Sequence, residues 1–158
     1  MSRIIPSRLQ PADPMWFVGD RREVALSRAS ELIPTIWGDF MATTPLPGQI
    51  GNETYGITCA YDGTNIEYMA GVRVENFANL DAAIPNGRVA VPAAEYAVFT
   101  HVGANEKIPE TWEAIMDWIH TNGRYKDGAS PPLEIYGDKY DPTSENSQFE
   151  IWFPVVLA

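Results

Sequence analysis

The sequence predicts an α+β fold: a duplicated βαββ unit with pseudo-twofold symmetry, an antiparallel sheet and two helices around a central groove. Three observations predict it. A short motif recurs, since residues 33–41 read Ile-Pro-Thr-Ile-Trp-Gly-Asp-Phe-Met and residues 108–116 read Ile-Pro-Glu-Thr-Trp-Glu-Ala-Ile-Met. Each copy sits in a stretch with apolar residues at helical spacing. Glycine, proline and Asx residues divide the remainder into short extended runs.

The elements follow in order. Met15 to Val24 reads as a strand. Ala29, Leu32, Ile33, Ile36, Trp37, Phe40 and Met41 repeat at i, i+3, i+4 and i+7, one face of a helix. Pro34 lies inside that pattern and should kink the helix or mark a late start. Residues 43–52, with Pro45, Pro47, Gly48 and Gly51, form a loop. Thr54–Tyr61 and Asn65–Val74 read as a hairpin around Asp62-Gly63. The second half opens with Gly87 to His101, an extended run that Pro92 interrupts. Its helix carries Ile108, Trp112, Ile115, Met116 and Ile119 on one face, with Asn105 as a candidate N-cap and Asn122-Gly123 as the stop. Leu133–Tyr136 and Gln148–Val156 are the last strands. A Tyr-Asp pair ends an extended stretch in each half, at Tyr61-Asp62 and Tyr140-Asp141. Glu67 and Glu150 then become counterparts. Residues 1–158 form one domain, with internal repeats at about 15–76 and 87–157.

Charge and cysteine content exclude several functions. The 158 residues carry 11 Lys and Arg against 21 Asp and Glu, a net −10 at pH 7. Nonspecific nucleic-acid binding needs cations to replace phosphate counterions, so direct contact with nucleic acid is not expected. The charge favours cationic or neutral partners. Cys59 is the single cysteine, and the only histidines are His101 and His120. Disulfides, a thiolate zinc site and a histidine metal centre are therefore not expected, and a reducing cytoplasm suits the chain. No apolar run reaches the ~20 residues that a membrane helix needs. No glycine loop has a Lys-Ser/Thr partner and no Gly-x-Ser-x-Gly occurs, so no cofactor or nucleophile motif is present. The expected reading of Cys59, His101 and His120 is structural.

One constellation could carry chemistry. Residues two apart on a strand share a face. Glu134 and Tyr136 form one such pair, Glu150 and Trp152 another, and Glu67 and Met69 a third. Aligning the halves at the Tyr-Asp pairs sets Tyr55 opposite Glu134, and the helix motif sets Trp37 opposite Trp112. A pseudo-twofold would gather these residues around one groove, with Trp37, Trp112, Tyr55 and Trp152 as walls and Glu134 and Glu150 as charges. Aromatic faces attract a cation by ~0.5–2 kcal/mol each. A poorly hydrated carboxylate discriminates for positive charge, because leaving it unpaired is costly. The preferred ligand is a flat, lipophilic cation or amphipathic small molecule.

Several stretches resemble the GyrI-like effector-binding domains. Val91-Pro92-Ala93-Ala94-Glu95-Tyr96-Ala97-Val98-Phe99-Thr100-His101-Val102-Gly103 is similar to the family's signature strand. So are residues 108–119, Pro131-Pro132-Leu133-Glu134-Ile135-Tyr136, and the ending Phe149-Glu150-Ile151-Trp152-Phe153-Pro154-Val155. Glu67-Tyr68-Met69-Ala70-Gly71-Val72 adds to the resemblance. The likeness covers roughly residues 15–157 and extends to the drug-sensing halves of AraC-type and MerR-type regulators and to integron-cassette drug binders. It implies a buried glutamate with surrounding aromatics, carried over to Glu134. A second acid and aromatic map onto Glu150 and Trp152, with Trp37, Tyr55 and Trp112 as further walls. No helix-turn-helix is evident, so sensing would pass through a separate regulator. The resemblance also admits a hydrolase of electrophilic cyclopropanoid toxins, with Glu134 as base and Tyr55 or Tyr136 as donor. A third option is a gyrase-inhibitor type of protein-interaction module. The binding reading is preferred, because tryptophan-rich walls suit stacking better than proton transfer.

Overall fold

The computed structural model describes residues 4–78 and 87–158. Among the described residues, nine strands and two α-helices give an α+β fold in which the strand pairings are antiparallel. By its internal contacts the chain divides into two units that are nested in sequence. Pro14–Pro92 forms the nested unit. Met1–Asp13 and Ala93–Ala158 form the enclosing unit.

The nested unit contains β2 (Met15–Ala25), α1 (Ala29–Met41), β3 (Thr54–Tyr61), β4 (Asn65–Val74) and β5 (Gly87–Val91). Its strand order is β3-β4-β2-β5. The expected hairpin is present with the expected limits. Gly63 takes φ 93°, and the Asp62 carboxylate accepts the backbone N–H groups of Thr64 and Asn65 at 2.8 and 2.7 Å. Alternation divides each strand into two faces. Val18, Val24, Tyr68, Ala70 and Val72 pack with Ile36 and Phe40 of α1. Phe17, Arg21, Glu67, Met69 and Tyr55 occupy the other face, as the cross-strand registers require. Arg22 ties β2 to α1 by bonding both Asp20 and Asp39 at 2.7 Å.

Three glycines stand in register across this sheet, Gly71 on β4, Gly19 on β2 and Gly87 on β5. The backbones leave no room for side chains there. A Cβ on Gly19 would collide with the Ala70 carbonyl oxygen and lie 2.6 Å from the Gly71 Cα. A Cβ on Gly87 would lie 2.6 Å from the Arg21 Cβ. Glycine inside a strand marks such close backbone approach.

Pro34 neither delays nor ends α1. The helix starts at Ala29, after a 3-10 turn over Leu26–Arg28, and runs through the proline. In the second copy of the motif, Pro109 falls in the first turn, where the missing N–H is harmless. The two motifs therefore match, and α1 simply begins about one turn earlier.

The enclosing unit contains β1 (Arg8–Ala12), β6 (Ala94–Val102), α2 (Ile108–Thr121), β7 (Tyr125–Asp127), β8 (Leu133–Tyr136) and β9 (Gln148–Leu157). Its order is β1-β6-β9-β8, with β7 also on β9. Ala97, Phe99, Phe149, Ile151 and Phe153 line the face covered by Ile115 and Ile119 of α2. The run from Gly87 to His101 is not one interrupted strand of the second half. Pro92 separates β5, which pairs with β2, from β6, which pairs with β1 and β9. Asn105 does not cap α2 with its side chain. Its Oδ1 accepts the Tyr140 hydroxyl at 2.9 Å instead. Asn122 does stop the helix, and its amide bonds the carbonyls of Trp118, Ile119 and Tyr125.

Tyr96 on β6 is fully buried, and its hydroxyl finds no hydrogen-bond partner among the described residues. Burial pushes its phenol up to about 12. An unmade buried hydrogen bond is costly, so Tyr96→Phe is expected to stabilise the protein by about 1 kcal/mol. Thermal unfolding should show a rise of roughly 2–4 °C in Tm. A fall would mean that the hydroxyl is engaged in solution.

Candidate functional site

The site is built on β8 and α2. Glu134 opposes Ile151, and Leu133 opposes Trp152. That register turns Glu134 and Tyr136 toward the α2 side, among the apolar residues of β9. Trp112, on the first turns of α2, reaches the same place, and its indole Nε1–H donates to Glu134 Oε2 at 3.1 Å. Glu134 is 8% exposed. Aromatic rings continue the surface. Trp112 meets Phe153 edge-on at 6.4 Å, and Tyr136 lies 4.5 Å from Phe149 and 4.6 Å from Tyr140. Burial raises the Tyr140 phenol above its ordinary value. The Asn105 hydrogen bond opposes that shift, and the Glu134 charge reinforces it.

Glu150 and Trp152 lie on the opposite face. Glu150 opposes Thr100 and Ile135, and Trp152 opposes Val98 and Leu133. The expected gathering of Glu134 and Glu150 around one groove is therefore corrected within this unit, because odd and even positions of β9 point to different sides. Glu150 is held by Arg8 of β1 through two N–H···O bonds of 2.8 and 3.2 Å. Trp152 Nε1–H donates to the same carboxylate at 3.1 Å, and the Arg8 guanidinium carbon lies 5.8 Å from the Trp152 ring centre. The Arg8 bonds hold the Glu150 carboxyl below its ordinary value, with partial burial opposing and Trp152 assisting. The pair's small contribution to stability is present above the ordinary carboxylate range and is lost as pH falls through the depressed value.

The nested unit supplies a neutral version of the Trp112 contact. Trp37 Nε1–H donates to Tyr68 Oη at 2.9 Å, and Tyr68 is buried. Tyr55 is buried on the face away from α1, 4.8 Å from the Phe17 ring, and burial raises its phenol. Register also corrects its assignment as the counterpart of Glu134. Thr58 opposes Tyr68 as Glu134 opposes Ile151, so Thr58 holds the equivalent position. Glu67 and Met69 share the Tyr55 face. Glu67 meets Arg21 at 3.4 Å and lines a cavity of about 210 Å3 with Glu23, Tyr61, Asp62 and Asn65. The repeat is thus chemically unequal: a helix tryptophan bonds a phenol in one unit and a carboxylate in the other.

Other polar groups are structural. His101 is 1% exposed, with Nδ1 at 2.7 Å from Thr111 Oγ1 and Nε2 at 3.1 Å from the Gly103 carbonyl. A neutral ring accepting from the threonine and donating to the carbonyl satisfies both contacts. Cys59 lies at the β3 irregularity, and burial raises its thiol to about 11. Its alkylation by iodoacetamide at neutral pH is expected to run on the order of 100-fold slower than that of free cysteine. A rate equal to that of glutathione would refute this. No cluster of His, Cys, Asp and Glu among the described residues could hold a metal ion, and no described helix is long and apolar enough to cross a membrane.

The motif reading missed Arg8, Tyr140, Phe149 and Phe153. Arg8 lies outside the repeat. Tyr140 sits in a polar loop without periodicity. The two phenylalanines alternate with the residues chosen as candidates, so taking the other face of β9 would have found them.

Comparison with known proteins agrees with this fold. The transcriptional regulator BrlR of Pseudomonas aeruginosa is 30% identical over 105 residues, 65% of this chain and 37% of that protein. The chain therefore spans little more than a third of that relative. The structure of SAV2435 bound to tetraphenylphosphonium is similar, with a TM-score of 0.76, 21% identity and coverage of 94% of this chain and 93% of that one. An integron cassette protein from the mobile metagenome of Vibrio cholerae gives a TM-score of 0.70, 14% identity and 98% coverage of both chains. The family described as integron-associated effector binding protein matches residues 8–155. By that match over nearly its whole length, the chain belongs to the integron-associated effector binding proteins.

Proposed function

We propose that the chain binds lipophilic cationic small molecules, with Glu134 as the selecting charge and Trp112, Tyr136 and Tyr140 as the stacking surface. The observation that carries this is the Trp112–Glu134 contact on a carboxylate only 8% exposed. The indole N–H orients the carboxylate without bringing a charge of its own. A cation placed against it gains Coulomb attraction in a medium drier than water and a π-face beside it. A neutral ligand of the same shape gains only the apolar contact. The family's effector-binding character and the cation bound by SAV2435 support the reading. BrlR supports a regulatory use, in which ligand occupancy is passed to a transcription regulator. The net charge of −10 argues against direct nucleic-acid contact.

The test is a tryptophan-fluorescence titration with tetraphenylphosphonium beside neutral triphenylphosphine oxide. Saturable quenching by the cation alone is expected. Equal responses to both would replace charge recognition with plain apolar binding. No response to either would remove the binding reading.

A further inference from the structure

The second acid–aromatic pair, Glu150 with Trp152, is filled by the chain itself. Arg8 meets every requirement of a guanidinium ligand there. Its two terminal nitrogens fork onto both carboxylate oxygens, its Nε–H donates to Gln10 Oε1 at 3.3 Å, and its cation lies against the Trp152 ring. Forked pairing of this kind is specific to guanidinium, since an ammonium offers no planar fork. Trp152 Nε1–H donates to Glu150 Oε1, the oxygen that Arg8 Nη2 also binds. The arginine starts on β1, and Arg8, Val98 and Trp152 stand in one line across β1, β6 and β9. Its stem must therefore pass over Val98, which is fully buried.

We propose that Glu150 and Trp152 form a guanidinium-binding site of which Arg8 is the resident cation. On the reading of Glu134 given above, this occupied pair is distinct from the carboxylate that selects the external ligand. The side chains of Arg8 and Glu150 are 43% and 35% exposed, so solvent reaches the site and an external cation could enter once Arg8 is gone. Two features separate it from an ordinary surface ion pair. The carboxylate has a donor of its own besides Arg8. The corresponding acid of the nested unit is not built this way, because Glu67 has Met69 in place of the tryptophan and touches Arg21 through one 3.4 Å contact. Strand β1 has other anchors, including Ser7, whose N–H and hydroxyl both bond the Val98 carbonyl at 2.7 and 3.0 Å. The site should therefore outlast the loss of the arginine.

The experiment is rescue with ethylguanidinium, titrated at concentrations well below denaturing ones. The wild-type chain is compared with Arg8→Ala and with Arg8→Met, which keeps most of the stem. Binding is read from the Trp152 indole N–H resonance, identified with Trp152→Phe, and by calorimetry. Both variants are expected to bind ethylguanidinium at least about tenfold more tightly than the wild type. They should prefer it to ethylammonium and lose the gain when Glu150→Gln is added. Equal, non-saturating responses in wild type and variants would overturn the proposal. So would equal affinity for the two cations, which would reduce the site to a simple ion pair. Failure of both variants to fold would also overturn it, by making Arg8 a structural strut. The same titration in a Glu134→Gln background separates the two readings, since the gain must persist there even if tetraphenylphosphonium never binds the wild type.

Discussion

Replacing Glu134 by glutamine is expected to weaken tetraphenylphosphonium binding by about 100-fold, or roughly 3 kcal/mol. The substitution keeps the shape and an acceptor for the Trp112 N–H, so the charge is the chief variable. The cost is large because Glu134 is 8% exposed and water supplies little of the missing stabilisation. Triphenylphosphine oxide should bind both proteins alike. Trp112→Phe keeps a ring but removes the indole donor at 3.1 Å, so a smaller loss of about tenfold is expected. Calorimetric titration of the three proteins checks the ranking. Unchanged cation affinity in Glu134→Gln would move the binding reading away from β8.

Replacing Gly19 by alanine is expected to cost about 3 kcal/mol or more of stability, a loss of roughly 6–12 °C in Tm. No side chain is removed and no charge is changed. The new methyl has no space, because the Ala70 carbonyl oxygen and the Gly71 Cα occupy it. Those neighbours are backbone and cannot rotate aside, so β2 and β4 must separate locally. Gly38 is the control. It lies on α1 with nothing within 4 Å of an added Cβ, so alanine there should be neutral or mildly stabilising. Thermal unfolding of the two variants checks both expectations, and equal Tm values would show that the sheet absorbs the methyl.

Much of the fold was legible in local patterns. The hairpin limits, the two helices and the Ile-Pro-x-x-Trp motif came from turn residues and apolar spacing, which act over a few residues. The partners of each strand did not. Nothing near Gly87 or Ala94 says that one pairs with β2 and the other with β9. The site divides in the same way. Glu134 was legible because it stands out in the Leu133–Tyr136 run, and its partner Trp112 because it recurs. The sharing of faces was read correctly along each strand, with Glu134 beside Tyr136 and Glu150 beside Trp152. Register across β8 and β9 then decides which pair faces α2, and a shift of one residue would reverse it. Arg8 was not legible because its partner Glu150 is distant in sequence and the contact requires β1 to dock first.

The nesting of the two units has a consequence for how the chain is made. Strand β1 leaves the ribosome well before its ladder partner β6, which comes only after the whole of Pro14–Pro92. The nested unit has all its described strands once β5 is translated, whereas the enclosing unit must wait for β9, about 60 residues later. During synthesis β1 is therefore an unpaired edge. Its composition suits that interval: five residues, one of them proline and one arginine, are a poor template for pairing with a stranger.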